Sequence, residues 1–437
     1  MKVLNKIIFW NDLSSVDQER ILQRSVFNTR KDIEKNVSKI ITDVFSKKDK
    51  AVKYYTSLFD KFSLKKIKIS QKKIFQSENF IDQKFKKAIF HAIKNISNFH
   101  SQQKINDLNV NICPGIRCEQ IIKPIDSVGL YIPGGLSPLF STLLMLAIPA
   151  KISGCKNISI CSPPPISKKI LYIAKIFKIY DVYQIGGAQA ISALAFGTES
   201  VNKVNKIFGP GNEYVTEAKR QVSSFFNTVS IDMLAGPSEL LVIADSFANS
   251  DFIVADLLSQ TEHGKNSQVF LVTNSQSLAL HVKEKIEIYL NKKKYDNLSM
   301  IIQSLKKSYI IVTKTLNECV NISNKYAPEH LIIHTKNYRE ILKDIVNAGS
   351  VFLGPWSPET AGDYASGTNH VLPTYGFSKS CSGISVSDFS KKISVQELTK
   401  KGFLNLSQTL QKLSLEEKML AHKNAVDIRL SFLKEQI

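Results

Sequence analysis

At residues 128–135 the chain runs Val-Gly-Leu-Tyr-Ile-Pro-Gly-Gly, and Ser137-Pro138 follow after one residue. The apolar residues predict a β-strand that ends in a glycine turn. A serine followed by a proline is typical of the N-cap and the first position of a helix. Backbone N–H groups at such a helix start can bind an anion, and a pyrophosphate would fit there. An ordinary strand-to-helix turn has the same local features, so this stretch alone leaves both interpretations open.

Two further glycine turns occur in the same region, Ile-Gly-Gly-Ala-Gln-Ala at 185–190 and Phe-Gly-Pro-Gly-Asn at 208–212. None of the three turns has the full G-x-G-x-x-G pattern, so a standard dinucleotide fold is not established. Three glycine turns within one α/β region nevertheless favour a nucleotide site.

The spacing of apolar residues changes near residue 128, from helical spacing to short apolar runs separated by glycine turns and helices. This alternation is typical of an α/β domain with a parallel sheet, and a second such stretch begins at residue 239. We therefore predict an α/β fold with two Rossmann-like parallel-sheet domains and helical N- and C-terminal extensions. The predicted strands include 157–161, 182–185, 239–244 and 268–273, and the predicted terminal helix covers 415–430.

The length of 437 residues and the hydrophobic content of 43% indicate a globular protein of two or three domains. The longest apolar run, 139–150, contains polar residues and a proline, so we expect no membrane span. The first residues lack the organisation of a signal peptide. Six cysteines without a C-x-x-C pair are interpreted as reduced thiols. Together these features predict a cytoplasmic protein.

A net charge of +20 would favour nucleic-acid binding if the charges formed one basic face. The lysines are instead scattered in runs such as 47–50 and 64–68, without arginine clusters or interleaved aromatic residues. We interpret the charge as a compositional bias on solvated surfaces and expect no nucleic-acid partner.

Glu329 and His330 follow Pro328 in the sequence Tyr-Ala-Pro-Glu-His-Leu, which places two proton-transfer groups side by side. Neighbouring side chains point in different directions on a helix or a strand, so we expect the pair to serve two separate proton transfers. A solvated surface pair would have the same sequence, and the hexapeptide alone favours that simpler interpretation. The other motifs of the chain reverse this preference.

Gln260 and His263 close a predicted helix, and their spacing places both side chains on one face at its C-terminal end. A lone pair of this kind is more often a surface pair than a metal site. Further candidate groups are Asp363 and His370 in the glycine-rich segment 358–370, and Glu417 and His422 near the C-terminus. Two imidazoles, one carboxylate and one amide oxygen would form a mixed nitrogen and oxygen site for zinc or a similar divalent ion.

These motifs together resemble the histidinol dehydrogenase family. The resemblance rests on segments in the family's order between residues 128 and 426, and only the lysine-rich first quarter lacks a strong motif. The segments are GLYIPGG at 129–135, IGGAQAI at 185–191, FGPGN at 208–212, IDMLAGPSE at 231–239, SQTEHG at 259–264, YAPEHL at 326–331, GDYASGTNH at 362–370 and AHKNAV at 421–426.

The resemblance implies a four-electron oxidation of L-histidinol through L-histidinal to L-histidine, the last step of histidine biosynthesis, with two NAD and one zinc per subunit. Glu329 and His330 would be catalytic: a neutral His330 would take the hydroxyl proton, and Glu329 would activate water. The implied zinc ligands are Gln260, His263, Asp363 and His422. The implied substrate contacts are Ser238, Gln260, His263, His330, Asp363, His370, Glu417 and His422. The implied NAD contacts are Tyr131, Gln189 and Asn212.

The resemblance also implies a homodimer in which the C-terminal part of one subunit completes the site of the other. We predict four parts of the chain on this basis. They are an N-terminal helical arm (1–26), a zinc and substrate α/β domain (27–130 with 239–384), an NAD-binding α/β domain (131–238) and a C-terminal helical tail (385–437) that completes the site in the partner subunit.

One departure from the family pattern lies between Glu417 and His422. The chain has Lys418-Met419 where many members have Gly-Leu, which affects local helix packing more than chemistry. His422 follows Glu417 by five residues, about 140° around an ideal helix, so we expect the two to flank the substrate rather than share a face.

Two alternatives to this function remain. A paralogous zinc- and NAD-dependent dehydrogenase of another polyol or amino alcohol would keep the Glu-His pair and change the substrate contacts, and Ser238, His370 and Glu417 argue against it. A basic nucleic-acid-binding protein on an old enzyme scaffold would not need Glu329 and His330, and the intact motifs argue against that.

Overall fold

The computed structural model describes residues 7–24, 31–134, 139–225, 229–233, 236–292 and 297–435. These residues divide into two compact units, Met1–Gln103 with Ile125–Phe389 (the large unit) and Lys104–Pro124 with Ser390–Ile437 (the small unit). The large unit contains two parallel sheets with helices, which confirms the predicted α/β class with two parallel-sheet regions. The finer division into four parts stays a prediction. None of the helices in the described ranges is long and apolar enough to cross a membrane.

The strands, in chain order, are β1 (Ile7–Phe9), β2 (Leu108–Cys113), β3 (Ile116–Pro124), β4 (Ser127–Tyr131), β5 (Asn157–Cys161), β6 (Asp181–Tyr183), β7 (Lys206–Phe208), β8 (Ser230–Ile231), β9 (Glu239–Ala244), β10 (Gln268–Thr273), β11 (Tyr309–Val312), β12 (His330–His334), β13 (Ser350–Leu353) and β14 (Ser390–Leu398).

The α-helices are α1 (Ser15–Leu22), α2 (Lys31–Asp60), α3 (Gln71–Gln76), α4 (Gln83–Ser101), α5 (Phe140–Ser153), α6 (Lys168–Ile176), α7 (Gly187–Phe196), α8 (Glu213–Ser224), α9 (Ser250–Thr261), α10 (Gln276–Lys292), α11 (Leu298–Leu305), α12 (Leu316–Tyr326), α13 (Tyr338–Lys343), α14 (Glu359–Tyr364), α15 (Lys400–Glu416) and α16 (Leu420–Lys434).

The first sheet is five-stranded and parallel, with the order β6-β5-β4-β7-β8. The central strand β4 contains the start of the stretch at 128–135. The apolar run at 139–150 belongs to α5, whose residues 141–150 are all buried, which explains why it is apolar on every side without being a membrane span. The predicted helix start at Ser137-Pro138 lies outside the described residues, and the described helix begins at Phe140.

The second sheet is six-stranded and parallel, with the order β1-β11-β10-β9-β12-β13. Strands β9 and β10 have the predicted bounds, because a strand buried on both faces is a continuous apolar run. The edge strand β1 was not predicted. It is three residues long, too short for a recognisable pattern.

The small unit contains a three-stranded antiparallel sheet, β14-β3-β2, together with α15 and α16. The prediction of helical patterning throughout the C-terminal part was therefore incomplete, because it missed β14. Most residues of this strand are exposed, so it lacks the apolar alternation of a half-buried strand.

The predicted single helix over 415–430 was wrong. Helix α15 ends at Glu416 and α16 begins at Leu420, and Lys418 between them has a left-handed backbone with φ 59°. Since Glu417 and His422 do not share one helix, the angle of about 140° expected between them does not apply.

Candidate active site

Glu329 and His330 lie at the start of β12, which is paired on both sides in the six-stranded sheet. Helix α12 ends in front of them, because its C-cap Ala327 has a left-handed backbone with φ 53° and Pro328 follows. Only 6% of Glu329 and 3% of His330 is exposed, which excludes the solvated surface pair considered above.

The backbone of Glu239 in the neighbouring strand β9 contacts both residues. Its N–H donates to Glu329 Oε2 at 2.9 Å, and its carbonyl oxygen lies 3.1 Å from His330 Nδ1. A carbonyl oxygen can only accept, so Nδ1 carries a hydrogen in this contact. His330 Nε2 is buried without a hydrogen-bond partner among the described residues, and its nearest carboxylate oxygen is Asp363 Oδ1 at 3.9 Å. Nε2 is therefore the ring nitrogen available for proton transfer.

The side chains of Glu329 and His330 do not diverge, contrary to the expected directions, whereas their two separate proton transfers stay a prediction. Glu329 Oε2 lies 3.5 Å from His330 Nδ1. Glu329 precedes the first residue of the strand, and its hydrogen bond to the Glu239 N–H turns the carboxylate back toward the imidazole.

Three carboxylates surround the imidazole of His330. Glu329 and Asp363 are two of them, as described above. The third is Glu359, whose Oε1 lies 3.5 Å from Nδ1. Burial lowers the pKa of His330, but the attraction of Glu359, Glu329 and Asp363 outweighs it and raises the pKa to about 10. For the Glu359 carboxyl, burial acts in the other direction and raises the pKa to about 8. These carboxylates thus favour the protonated ring, and a divalent cation bound to them would oppose that protonation. The neutral ring implied by the family resemblance stays a prediction.

A group of possible metal ligands lies beside His330. The ligand atoms of His263, Glu359 and Asp363 all lie within 4.8 Å of one another. Glu359 and Asp363 are four residues apart on α14, so they share one helix face. An imidazole with carboxylates is a donor set that suits zinc, so these residues fit such an ion.

Gln260 lies in the last turn of α9 and is fully buried beside this group. With its amide nitrogen facing Glu359, the side chain donates to that carboxylate and its oxygen accepts from the Glu239 N–H at 3.1 Å. His263 follows in the turn after the helix, where its N–H donates to the Gln260 carbonyl at 3.3 Å.

A second cluster lies at the carboxyl edge of the five-stranded sheet, where parallel sheets bind nucleotides. The Tyr131 hydroxyl at the end of β4 accepts from the Gly187 N–H at 3.1 Å. Gln189 in the first turn of α7 is buried, and its Oε1 has no partner in the described chain. Asn212 caps α8 by accepting from the N–H groups of Tyr214 and Val215. An unpartnered acceptor in the first turn of a helix suits the hydrogen-bond donors of a nucleotide.

Comparison with known proteins decides the identity of this arrangement. The family model for histidinol dehydrogenase matches residues 23–430. The chain belongs to the histidinol dehydrogenase family. The histidinol dehydrogenase of Buchnera aphidicola subsp. Schizaphis graminum (strain Sg) is 56% identical over 438 residues, which covers 100% of both chains. That of Escherichia coli (strain K12) is 51% identical over 99% of both chains. The crystal structure of histidinol dehydrogenase from Elizabethkingia anophelis has a TM-score of 0.94, with 43% identity and 99% of both chains covered.

As a member of the histidinol dehydrogenase family, the chain is an NAD-dependent oxidoreductase of histidine biosynthesis. The structure brings the family's motifs in the large unit into the two clusters described above. His370 extends the first cluster: its Nδ1 lies 2.7 Å from the Asp363 carbonyl oxygen and its Nε2 lies 3.2 Å from Thr142 Oγ1. Because Thr142 belongs to α5, directly after the glycine turn of β4, this contact joins the two sheet regions of the large unit.

The remaining predicted residues of this histidinol dehydrogenase family member are Ser238, Glu417 and His422. Ser238 is half-buried and precedes Glu239, and its carbonyl oxygen accepts from the Gln268 N–H at 3.1 Å. Glu417 and His422 are exposed residues of the small unit.

Sequence reasoning missed Glu239 and Glu359. The spacing of Glu359 and Asp363, four residues apart in a short helix, could have indicated Glu359. Glu239 ends the motif at 231–239, but its contacts with Glu329 and His330 are made by its main chain, which the residue type does not reveal.

Proposed function

We propose that the chain oxidises L-histidinol through L-histidinal to L-histidine, a four-electron reaction with two NAD and one zinc per subunit, as a cytoplasmic enzyme. One observation carries the proposal: His330 is held through Nδ1 by the Glu239 carbonyl, while its buried Nε2 has no partner in the described chain. Such a nitrogen can accept a proton from a bound alcohol.

Gln260, His263 and Asp363, together with His422, would hold the zinc ion. When bound, the ion would hold the nitrogen atoms of the substrate and oppose protonation of nearby bases. In the orientation described above, the amide nitrogen of Gln260 faces Glu359 and its oxygen faces the Glu239 N–H, so the amide would turn over to present its oxygen to zinc. Glu359 lies within reach of the same position, so we include it among the groups that shape the metal site.

In the first oxidation, His330 takes the hydroxyl proton at Nε2. The Nδ1 contact with Glu239 holds the ring plane while this happens, which keeps the base at a fixed distance from the alcohol. NAD, when bound, would accept the hydride. Ser238, His370 and Glu417 would contact the substrate and orient its alcohol carbon toward the cofactor.

In the second oxidation, Glu329 activates the water that adds to the aldehyde. His330, after releasing its first proton, takes a hydroxyl proton of the hydrate at Nε2, and a second NAD, when bound, would accept the hydride, which leaves the acid. Its carboxylate is buried and lies 3.5 Å from His330 Nδ1, so the two groups can act on one small substrate. Burial of both groups also keeps bulk water away from the reactive aldehyde.

Tyr131, Gln189 and Asn212 would contact NAD at the carboxyl edge of the five-stranded sheet. Support comes from the close approach of the backbone at Gly209, with φ 116°, where a Cβ atom would lie 2.1 Å from the Tyr131 carbonyl oxygen. Only glycine fits this turn, which brings the Asn212 helix start beside Tyr131.

We further propose a homodimer in which Glu417 and His422 act in the site of the partner subunit. Both residues are exposed, and α15, α16 and the connection between them present large apolar side chains to solvent. Such a surface is typical of a protein interface. These exposed side chains are Leu404, Leu410, Leu413, Leu415, Met419, Leu420, Ile428 and Phe432.

Mixing two inactive variants tests the shared site. If sites are shared, a hybrid dimer of His263→Asn and His422→Asn subunits contains one intact site, so activity returns on mixing. If each site belongs to one chain, every site in the hybrid is defective and no activity returns.

The stoichiometry of the reaction tests the overall proposal. Purified, zinc-loaded protein is given a limiting amount of L-histidinol, and both NADH and L-histidine are quantified. Two NADH and one L-histidine per L-histidinol support the four-electron reaction. One NADH with released aldehyde would remove the role of Glu329, and no turnover of L-histidinol, with turnover of another amino alcohol, would favour a paralogous dehydrogenase.

A further inference from the structure

Arg24, directly after the N-terminal helix α1, contacts the segments that carry the catalytic pair. Its guanidinium forms two hydrogen bonds with the Glu239 carboxylate, at 2.5 and 2.9 Å. It also donates to the carbonyl oxygens of Tyr326 at 2.6 Å and Ala327 at 3.2 Å. The guanidinium carbon lies 3.9 Å from the centre of the Tyr326 ring. One side chain thus binds both β9 and the end of α12.

The residues that Arg24 binds are those that position Glu329 and His330. Glu239 is the residue whose N–H and carbonyl bind the catalytic pair, and Ala327 is separated from Glu329 only by Pro328. The Glu239 carboxylate also accepts from the Tyr375 N–H at 2.9 Å. A shift of Glu239 would therefore move the partners of both catalytic side chains at once.

The ion pair is shielded from water, with the Arg24 side chain 14% exposed and the Glu239 side chain 3% exposed. A planar guanidinium that binds a carboxylate through two parallel hydrogen bonds fixes its orientation as well as its charge. Loss of one partner leaves the other charge buried and unpaired, so the surrounding backbone must rearrange.

We propose that Arg24 is a positioning residue for the oxidation. It fixes Glu239 and the carbonyls before Pro328, and thereby sets the orientation in which His330 presents Nε2 and Glu329 presents its carboxylate. This inference rests on the proposed roles of Glu329 and His330. It gives the N-terminal arm a part in catalysis although that arm lies 215 residues from Glu239 in sequence.

The test uses the full-length, zinc-loaded protein with Arg24→Met, Arg24→Lys and the control Arg20→Met, which removes an exposed arginine of α1. For Arg24→Met we expect kcat to fall roughly 10²-fold, as for other displacements of about 1 Å in a catalytic group. KM for NAD should stay within about twofold, because the NAD contacts lie on the other sheet. Arg24→Lys should recover part of the loss, since it keeps the charge but not the paired geometry. Arg20→Met should resemble the wild type.

A second measurement separates positioning from stability. Long-range ¹H–¹⁵N spectra of histidine-labelled protein report the hydrogen on each ring nitrogen of His330, with the signal assigned by His330→Asn. We expect the Nδ1–H state of the wild type to be lost in Arg24→Met and retained in Arg20→Met. If Arg24→Met does not fold, Arg24→Lys is the deciding variant.

The inference would be overturned if Arg24→Lys and any folded Arg24→Met kept the kcat per folded molecule and the His330 signal of the wild type. A lower melting temperature in these variants would then leave Arg24 only a stabilising role. Failure of the wild type to oxidise L-histidinol would instead remove the proposed function. In that case the spectra still show whether Arg24 sets the state of His330.

Discussion

The main-chain carbonyl oxygen of Glu239 lies 3.1 Å from Nδ1 of His330. This contact determines which nitrogen of the ring can act as a base, because a carbonyl oxygen requires a hydrogen on Nδ1 and leaves Nε2 for the substrate. The N–H of the same residue holds Glu329 at 2.9 Å. One backbone position in β9 therefore fixes both proposed catalytic groups.

Because Glu329 and His330 have different proposed roles, we expect their substitutions to lower the rates of the two half-reactions by different factors. Glu329→Gln cannot act as a base, so conversion of L-histidinal to L-histidine should fall by about 10²–10⁴-fold while oxidation of L-histidinol falls less. His330→Asn should impair both halves, because each uses the base at Nε2. Single-turnover assays that start from L-histidinol and from L-histidinal measure the two rates separately. Equal losses in both halves for Glu329→Gln would remove its assigned role.

We expect the zinc content of the protein to depend on the side chain of His263. The ligand atoms of His263 and Asp363 lie close enough to share a cation, so His263→Asn should lower the affinity for zinc by at least about 10-fold. Metal analysis after dialysis against a weak chelator measures the retained zinc. The control is His281→Asn, which changes an exposed histidine of α10. Equal zinc content in both variants would exclude His263 as a ligand.

The sequence predicted several of the buried strands, β5, β9 and β10 among them, and most of the polar groups in the large-unit clusters, for identifiable physical reasons. It did not predict the buried strands β11 and β12, which are only four and five residues long. Strand β9 is buried on both faces and is therefore a continuous apolar run, and the turn at 208–212 needs glycine where the backbone approaches Tyr131. Strand β14 was missed because most of its residues are exposed. The ion pair of Arg24 and Glu239 joins residues that no local pattern connects, so only the fold could reveal it.

We expect the buried ring of His100 to make the free energy of unfolding depend on pH. Its Nδ1 lies 2.9 Å from the Ile96 carbonyl oxygen, and its Nε2 lies 3.2 Å from Asn369 Nδ2, so the buried ring is neutral. Burial lowers the pKa of His100 below 6.5, although the contact with Ile96 opposes this. As the pH falls through 6.5, the unfolded chain takes up a proton that the folded protein resists, and the free energy of unfolding decreases. Above that pH the ring is neutral in both states and the effect is absent.

The variant His100→Gln lacks the titrating ring. We expect its melting temperature to fall less steeply than that of the wild type between about pH 6.5 and pH 5. The matched control is His91→Gln, an exposed histidine on the same helix, which should keep the slope of the wild type. Parallel curves for His100→Gln and the wild type would contradict the assignment.

We expect the substitution Lys418→Gly to stabilise the small unit. This residue joins α15 to α16 with φ 59°, a left-handed backbone that costs a non-glycine residue about 1–2 kcal/mol. Glycine adopts it freely but loses about 0.5–1 kcal/mol more conformational entropy on folding. Lys418→Gly should therefore raise the free energy of unfolding of the α15–α16 pair by about 0.5–1 kcal/mol. The same substitution at Lys412, inside α15, should lower it by about 1 kcal/mol because the backbone there is helical. Hydrogen exchange at the amides of residues 415–423 in full-length protein measures both changes, and faster exchange in Lys418→Gly than in the wild type would show that the lysine is not strained.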